Sequence, residues 1–124
     1  QMMRLKDITN GEMNIINGPD EMLLMGLSAG ADGGIGTTYN FMFDIIRGIY
    51  DNFVKGDLAT AREYQTRAIR IISVLLNYKI IPAAKAVLEA QGYAVGNATF
   101  PMKRYTDEEK AVIVAQMRKA GLEI

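Results

Sequence analysis

Asp20 and Glu21 are adjacent carboxylates in the run Asn17-Gly18-Pro19-Asp20-Glu21. Neighbouring residues on a turn point in different directions, so this pair suits gripping several hydroxyls better than sharing one proton. An ionised carboxylate only accepts hydrogen bonds, and a polyol offers many donors. The same two residues also fit the first turn of a helix, where negative charge meets the positive end of the peptide dipoles. A second run, Gly36-Thr37-Thr38-Tyr39-Asn40, presents two hydroxyls and the free N–H groups of a helix start. That combination holds a hydroxyl, carboxylate or phosphate, or else caps its own helix. Its glycines match neither the P-loop spacing, which needs a following Lys, nor the G-x-G-x-x-G spacing. Lys79, in Leu75-Leu76-Asn77-Tyr78-Lys79-Ile80-Ile81, sits among apolar residues of the kind that surround Schiff-base lysines. The plainer reading, which we prefer, is a lysine near a helix C-terminus whose head reaches water.

The elements that must position these residues follow from periodicity and punctuation. A helix remnant over Leu5–Asn10 precedes a short strand, Met13–Asn17, bounded by Gly11 and by Gly18-Pro19. Pro19 suits the first position of a helix. Met22 to Leu27 give that helix apolar character nearly all round, which implies burial on more than one side. Ala31–Tyr39 supplies a glycine-dense strand and its exit loop. From Tyr39 apolar residues recur every three or four positions through Val54. Gly56-Asp57 then caps a second long helix over 57–77, Pro82 starts a third that stops at Gly92, and residues 93–105 are irregular. Thr106 and Glu109 have capping-box spacing and open a closing helix to Gly121. Strands alternating with helices indicate a parallel α/β unit, yet two strands make an incomplete sheet with open edges. The eight methionines are expected to fill core gaps, and Arg47, Arg62, Arg67 and Arg70 to lie on solvated helix faces.

In parallel α/β proteins, ligands gather at the carboxyl ends of the strands, where both candidate loops fall. The chain has 124 residues, one domain's worth, with 14 Lys+Arg against 14 Asp+Glu and no Cys or His. Zero net charge argues against a nucleic-acid binder that works by bulk charge. Without Cys or His there is no disulfide, no zinc site of the usual ligands and no Ser-His relay. Cysteine-free composition is consistent with a cytoplasmic protein. No apolar run is long enough for a membrane span, and the first residues do not read as a secretory signal. Gln1 stands where an initiator Met would precede, so the chain is expected to be a piece of something longer.

At the two loops, Ile16-Asn17-Gly18-Pro19-Asp20-Glu21 followed by Ala29-Gly30-Ala31-Asp32-Gly33-Gly34-Ile35-Gly36-Thr37-Thr38-Tyr39-Asn40 closely resembles the N-acetylneuraminate lyases. These belong with dihydrodipicolinate synthase among the pyruvate-dependent class I aldolases. The resemblance runs more weakly to about Leu122. It implies an α/β fold: the C-terminal part of a (β/α)8 TIM barrel, contributing the last two strands, followed by C-terminal helices. Residues 1–55 would be the barrel part and 56–124 the helical region of the same domain.

The implied activity is reversible cleavage of N-acetylneuraminate to N-acetylmannosamine and pyruvate through a Schiff base. The lysine nucleophile would fall shortly before Gln1, so no catalytic residue is expected within 1–124 and the isolated segment is expected to be inactive. What carries over is the sugar-binding side: Gly18 through its backbone, Asp20 and Glu21 on hydroxyls, Gly36 and Thr37 on the other flank. No metal or other cofactor is expected. The implied partners are a sugar acid, pyruvate, and the remainder of the barrel or another copy of the chain, the intact protein being a tetramer. Two departures stand out. Thr37 replaces a serine common in the family, and Ala98-Thr99-Phe100-Pro101 replaces a segment that often includes arginine. Another family aldolase, such as a dihydrodipicolinate synthase or sugar-acid aldolase, is the alternative, as is a non-catalytic partial-barrel assembly fragment.

Overall fold

The two extended segments expected from the sequence lie side by side and parallel in the computed structural model, which describes residues 1–124. Strand β1 (Ile16–Asn17) pairs with β2 (Gly33–Gly34), Ile16 opposite Gly33 and Asn17 opposite Gly34. Bonds from Asp32 N to Ile15 O (2.8 Å) and from Ile35 N to Asn17 O (2.9 Å) extend the ladder at each end. Regular pairing is thus shorter than the Met13–Asn17 strand expected, because Met13 and Asn14 have no partner strand and stay exposed. Alternation along a strand sends successive side chains to opposite faces. Ile15 and Asn17 turn toward the helices and are buried, while Ile16 and Ile35 face away and remain 50% and 70% exposed.

Between the strands, α2 (Leu23–Ser28) makes the crossover that parallel pairing requires. It buries Leu23, Leu24, Gly26 and Leu27, but Met22 and Met25 are exposed, so α2 is covered on one face and not all round. Helix α1 (Met2–Ile8) is anchored through Lys6, whose Nζ donates to Asp32 (2.7 Å) and to the Met13 carbonyl (2.9 Å). The hydrogen bond from Lys6, with another from the Ile15 N–H, holds the Asp32 carboxyl below the ordinary 3.8.

Four further helices follow: α3 (Phe43–Val54), α4 (Leu58–Leu75), α5 (Ile80–Ala90) and α6 (Asp107–Lys119). Helix α3 starts four residues later than the periodicity suggests, because Thr37–Asn40 forms a separate 3₁₀ turn. Helix α5 begins at Ile80, so Pro82 is its third residue and not its first. That is still the first turn, where N–H groups have no intrahelical partner and a proline removes nothing.

Asp57 caps α4 by accepting from Thr60 N (3.0 Å), and Thr106 with Glu109 completes the reciprocal capping box of α6. Helix α4 is the hub: it packs against α2, α3, α5 and α6 and against the turn after β1. One apolar cluster runs from Leu23 to Leu122 and includes Ile49, Ile71, Leu75, Val87, Ile113 and Met117. Of the methionines only Met42 and Met117 are buried, so the core is filled by Leu, Ile and Ala instead. No single helix is long and apolar enough to cross a membrane.

Candidate functional site

The exit from β1 is shaped by Asn17, which is 1% exposed and whose Nδ2 donates to the Pro19 carbonyl at 2.7 Å. This local bond folds the loop back on itself. Gly26 of α2 lies directly beneath, and a Cβ there would overlap the Asn17 side chain. Pro19 has φ −66° and ψ 117°, an extended conformation, so it precedes a helical turn instead of opening one. The turn itself, Asp20–Met22, is 3₁₀ and runs straight into α2.

Asp20 is half-buried and reaches across to the second loop. Its Oδ2 accepts from Thr38 N (3.0 Å) and from the Thr38 hydroxyl (2.6 Å). The 3₁₀ turn at Thr37–Asn40 has no side-chain cap of its own, so Asp20 supplies one from 18 residues away. Neither simple alternative raised by the sequence describes this: Asp20 caps the neighbouring loop's turn, and Thr38 donates to Asp20 instead of capping its own. Gly36 makes the approach possible, since a Cβ there would overlap the Asp20 carboxylate. Its φ of −166° is ordinary extended backbone, so the requirement is purely one of space.

Glu21 stands differently. It is exposed and makes no hydrogen bond or ion pair. Thr37 is exposed as well, and its carbonyl accepts from Asn40 Nδ2 at 2.9 Å. Gly18, Asp20, Glu21, Gly36 and Thr37 all line one cavity of about 420 Å³ at the C-terminal end of the two strands. Ile72, Leu75, Leu76 and Ile80 form its apolar wall. A free carboxylate, a free hydroxyl and an apolar wall suit a molecule with one hydroxyl-rich and one apolar side.

Beneath the loops the Tyr39 hydroxyl is buried without a hydrogen-bond partner. Burial foremost, then the Asp20 charge, pushes it up to about 12 from 10.0, with the Asn17 side chain pulling weakly the other way. The neutral phenol is therefore favoured in the fold, and its contribution to stability is complete below pH 10 and lost as pH rises toward about 12. An ultraviolet titration should find one of the six tyrosines ionising well after the ordinary ones. A Tyr39→Phe variant that kept the late component would refute the assignment.

Sequence reasoning missed Gln65. It is 6% exposed on α4, accepting from Leu24 N (2.9 Å) through Oε1 and donating to Asp20 O (3.4 Å) through Nε2. The available signal was its position: Ala61, Gln65, Ala68, Ile72 and Leu75 fall on one buried stripe, and a polar residue there needs buried partners. Lys79 lies at the α4–α5 junction as the N-cap of α5, with its side chain exposed and its backbone N–H donating to the Tyr105 hydroxyl (2.9 Å). It lacks the enclosure of a Schiff-base lysine. The Ala98–Pro101 segment makes no hydrogen bond to either loop; Ala98 is buried and Phe100 is 89% exposed.

Parallel strands with a crossover helix, loops converging on a cavity at their carboxyl ends, and helices closing over the outside are the arrangement found in the last part of a (β/α)8 barrel. Residues 1–120 match the model of the dihydrodipicolinate synthetase family, and the chain belongs to that family. It is 37% identical over 99 residues to the N-acetylneuraminate lyase of Rhizobium meliloti, which covers 80% of this chain and 33% of that protein. Against the N-acetylneuraminate lyase of Escherichia coli it is 40% identical over 77 residues, covering 62% of this chain and 26% of that one. The chain thus spans a third or less of these curated relatives.

Among solved structures, the Proteus mirabilis N-acetylneuraminate lyase superimposes with TM-score 0.87 at 29% identity, over 98% of this chain and 41% of that one. A Clostridium difficile relative, solved in complex with mannosamine, superimposes with TM-score 0.88 at 30% identity, over 96% and 41%.

Proposed function

We propose that this segment belongs to a pyruvate-dependent class I aldolase that reversibly cleaves N-acetylneuraminate to N-acetylmannosamine and pyruvate. The segment provides the sugar-hydroxyl side of the active site, and the Schiff-base lysine comes from outside residues 1–124. Once the keto acid is held as an iminium, the nitrogen is an electron sink, so breaking the carbon–carbon bond leaves an enamine in place of a bare carbanion. The work of this chain is to hold the polyol in line with that bond. Glu21 and the Thr37 hydroxyl bind sugar hydroxyls, Gly18 and Gly36 leave room and backbone, and Asp20 both braces the second loop and keeps the lone pairs of Oδ1 for substrate.

The observation that carries the reading is the unpaired Glu21 carboxylate beside Thr37 on the wall of one cavity. The strand face turned away from the helices, with Ile16 and Ile35 exposed, is the one a barrel encloses, and it supports closure by other strands, from the remainder of a longer chain or from another copy. Residues 1–55 then form the barrel part and 56–124 the helical region of the same domain, in a cytoplasmic tetramer.

The test is made on the complete barrel protein carrying this segment. Glu21→Ala should raise KM for N-acetylneuraminate about tenfold or more by removing a charged hydrogen-bond acceptor. Borohydride trapping with pyruvate should be unchanged, since the nucleophile is remote from Glu21. The isolated 124-residue chain should trap no pyruvate at all. Unchanged KM, or a covalent adduct on the isolated chain, would contradict the proposal. Pyruvate release from other 2-keto acids in preference to N-acetylneuraminate would favour a different aldolase of the same family.

A further inference from the structure

We propose that Gln65, on α4 and outside the barrel, is a positioning residue that sets where the Asp20–Glu21 turn aims its carboxylates. The proposal rests on the polyol-binding reading of that turn. Every helix start leaves N–H groups without an intrahelical partner, and most are capped by a side chain close in sequence. Here neither the 3₁₀ turn Asp20–Met22 nor α2 has a side-chain cap of its own. The Leu24 N–H is instead taken by Gln65 Oε1 at 2.9 Å, from 41 residues away. The other end of the same amide, Nε2, donates to the Asp20 carbonyl at 3.4 Å, the longer and weaker of the two bonds.

One planar amide therefore spans the turn, fixing its first carbonyl and, two residues beyond its end, the Leu24 amide in the first turn of α2. The Asp20 side chain is fixed separately by Thr38. Between these anchors Glu21 is the residue whose side chain has no protein partner. Its direction is then a consequence of backbone held from both sides. Shifts of an ångström at a binding group are enough to lose much of its contribution. A leucine at 65 would suit the stripe of Ala61, Ala68, Ile72 and Leu75 equally well as packing. The amide is distinguished by what it does to the acidic turn.

The experiment compares variants of the complete barrel protein. Gln65→Leu should raise KM for N-acetylneuraminate about tenfold, with kcat within about twofold and borohydride trapping by pyruvate unchanged. Because Gln65 acts through the turn, adding Gln65→Leu to Glu21→Ala should raise KM less than about twofold further, the signature of coupled residues. Gln65→Glu keeps an acceptor for Leu24 while removing the amide donor to Asp20, and should raise KM similarly if the leucine variant fails to fold.

Unchanged KM in the folded Gln65 variants, while Glu21→Ala raises it, would overturn the role of Gln65 and leave the polyol-binding reading standing. Full additivity in the double variant, or parallel loss of pyruvate trapping, would show a merely structural contribution and also overturn it. A silent Glu21→Ala would remove the polyol-binding reading and this inference with it.

Discussion

Asp20→Ala should destabilise the folded protein by about 2–3 kcal/mol, because it leaves two donors on Thr38 without their acceptor. Thr38 is only 3% exposed, so water cannot readily take the place of the carboxylate. The bond from the Thr38 hydroxyl, at 2.6 Å, is short, as expected when the acceptor is ionised. Asp20→Asn retains an acceptor oxygen and should cost less, about 1 kcal/mol, the difference between a charged and a neutral hydrogen bond. Urea denaturation of the complete barrel protein measures both. An alanine variant within about 0.5 kcal/mol of wild type, the usual range for an exposed position, would mean that Asp20 does not brace the two loops.

Gly36→Ala should have the largest effect on the site itself. The added methyl would occupy the space of the Asp20 carboxylate, and overpacking of this kind costs about 1–3 kcal/mol. Relief by displacing Asp20 breaks its bonds to Thr38, while relief by displacing the second loop moves Thr37 away from Glu21. Either way, kcat/KM for N-acetylneuraminate should fall about 100-fold, comparable to losing one strong charged hydrogen bond. The sign of the coupling is diagnostic. In an Asp20→Ala background the clash is gone, so Gly36→Ala should cost little more, and the two changes should be strongly non-additive. Additive losses would refute the contact. Since φ at Gly36 is extended, any residue could adopt the backbone, and the loss must be assigned to crowding alone.

The elements that the sequence made legible are those whose signals are local. The Thr106–Glu109 capping box and the Asp57 cap are satisfied by residues three positions away, so their spacing alone locates the helix starts. Ile45, Ile46 and Ile49 recur at helical spacing and are buried in α3. Boundaries set by remote contacts were misplaced. The helix expected from Tyr39 is delayed to Phe43 because Asp20, from the other loop, holds Thr38 in a 3₁₀ turn. Met22 and Met25 belong to a run that is apolar nearly all round, yet they stay exposed because α2 is covered only where it meets the two strands, α3 and α4.

The order of strands and helices, the family resemblance and the candidates for polyol binding were all legible along the chain. Residue types and short spacings encode these directly. How those residues divide their work follows from long-range packing. Asp20 and Glu21 are adjacent and chemically alike, but one is spent bracing Thr38 and the other is free. Gln65 caps a turn 41 residues earlier in the chain. Such assignments depend on which buried donors lack local acceptors once the helices have packed, and that quantity exists only in the folded chain.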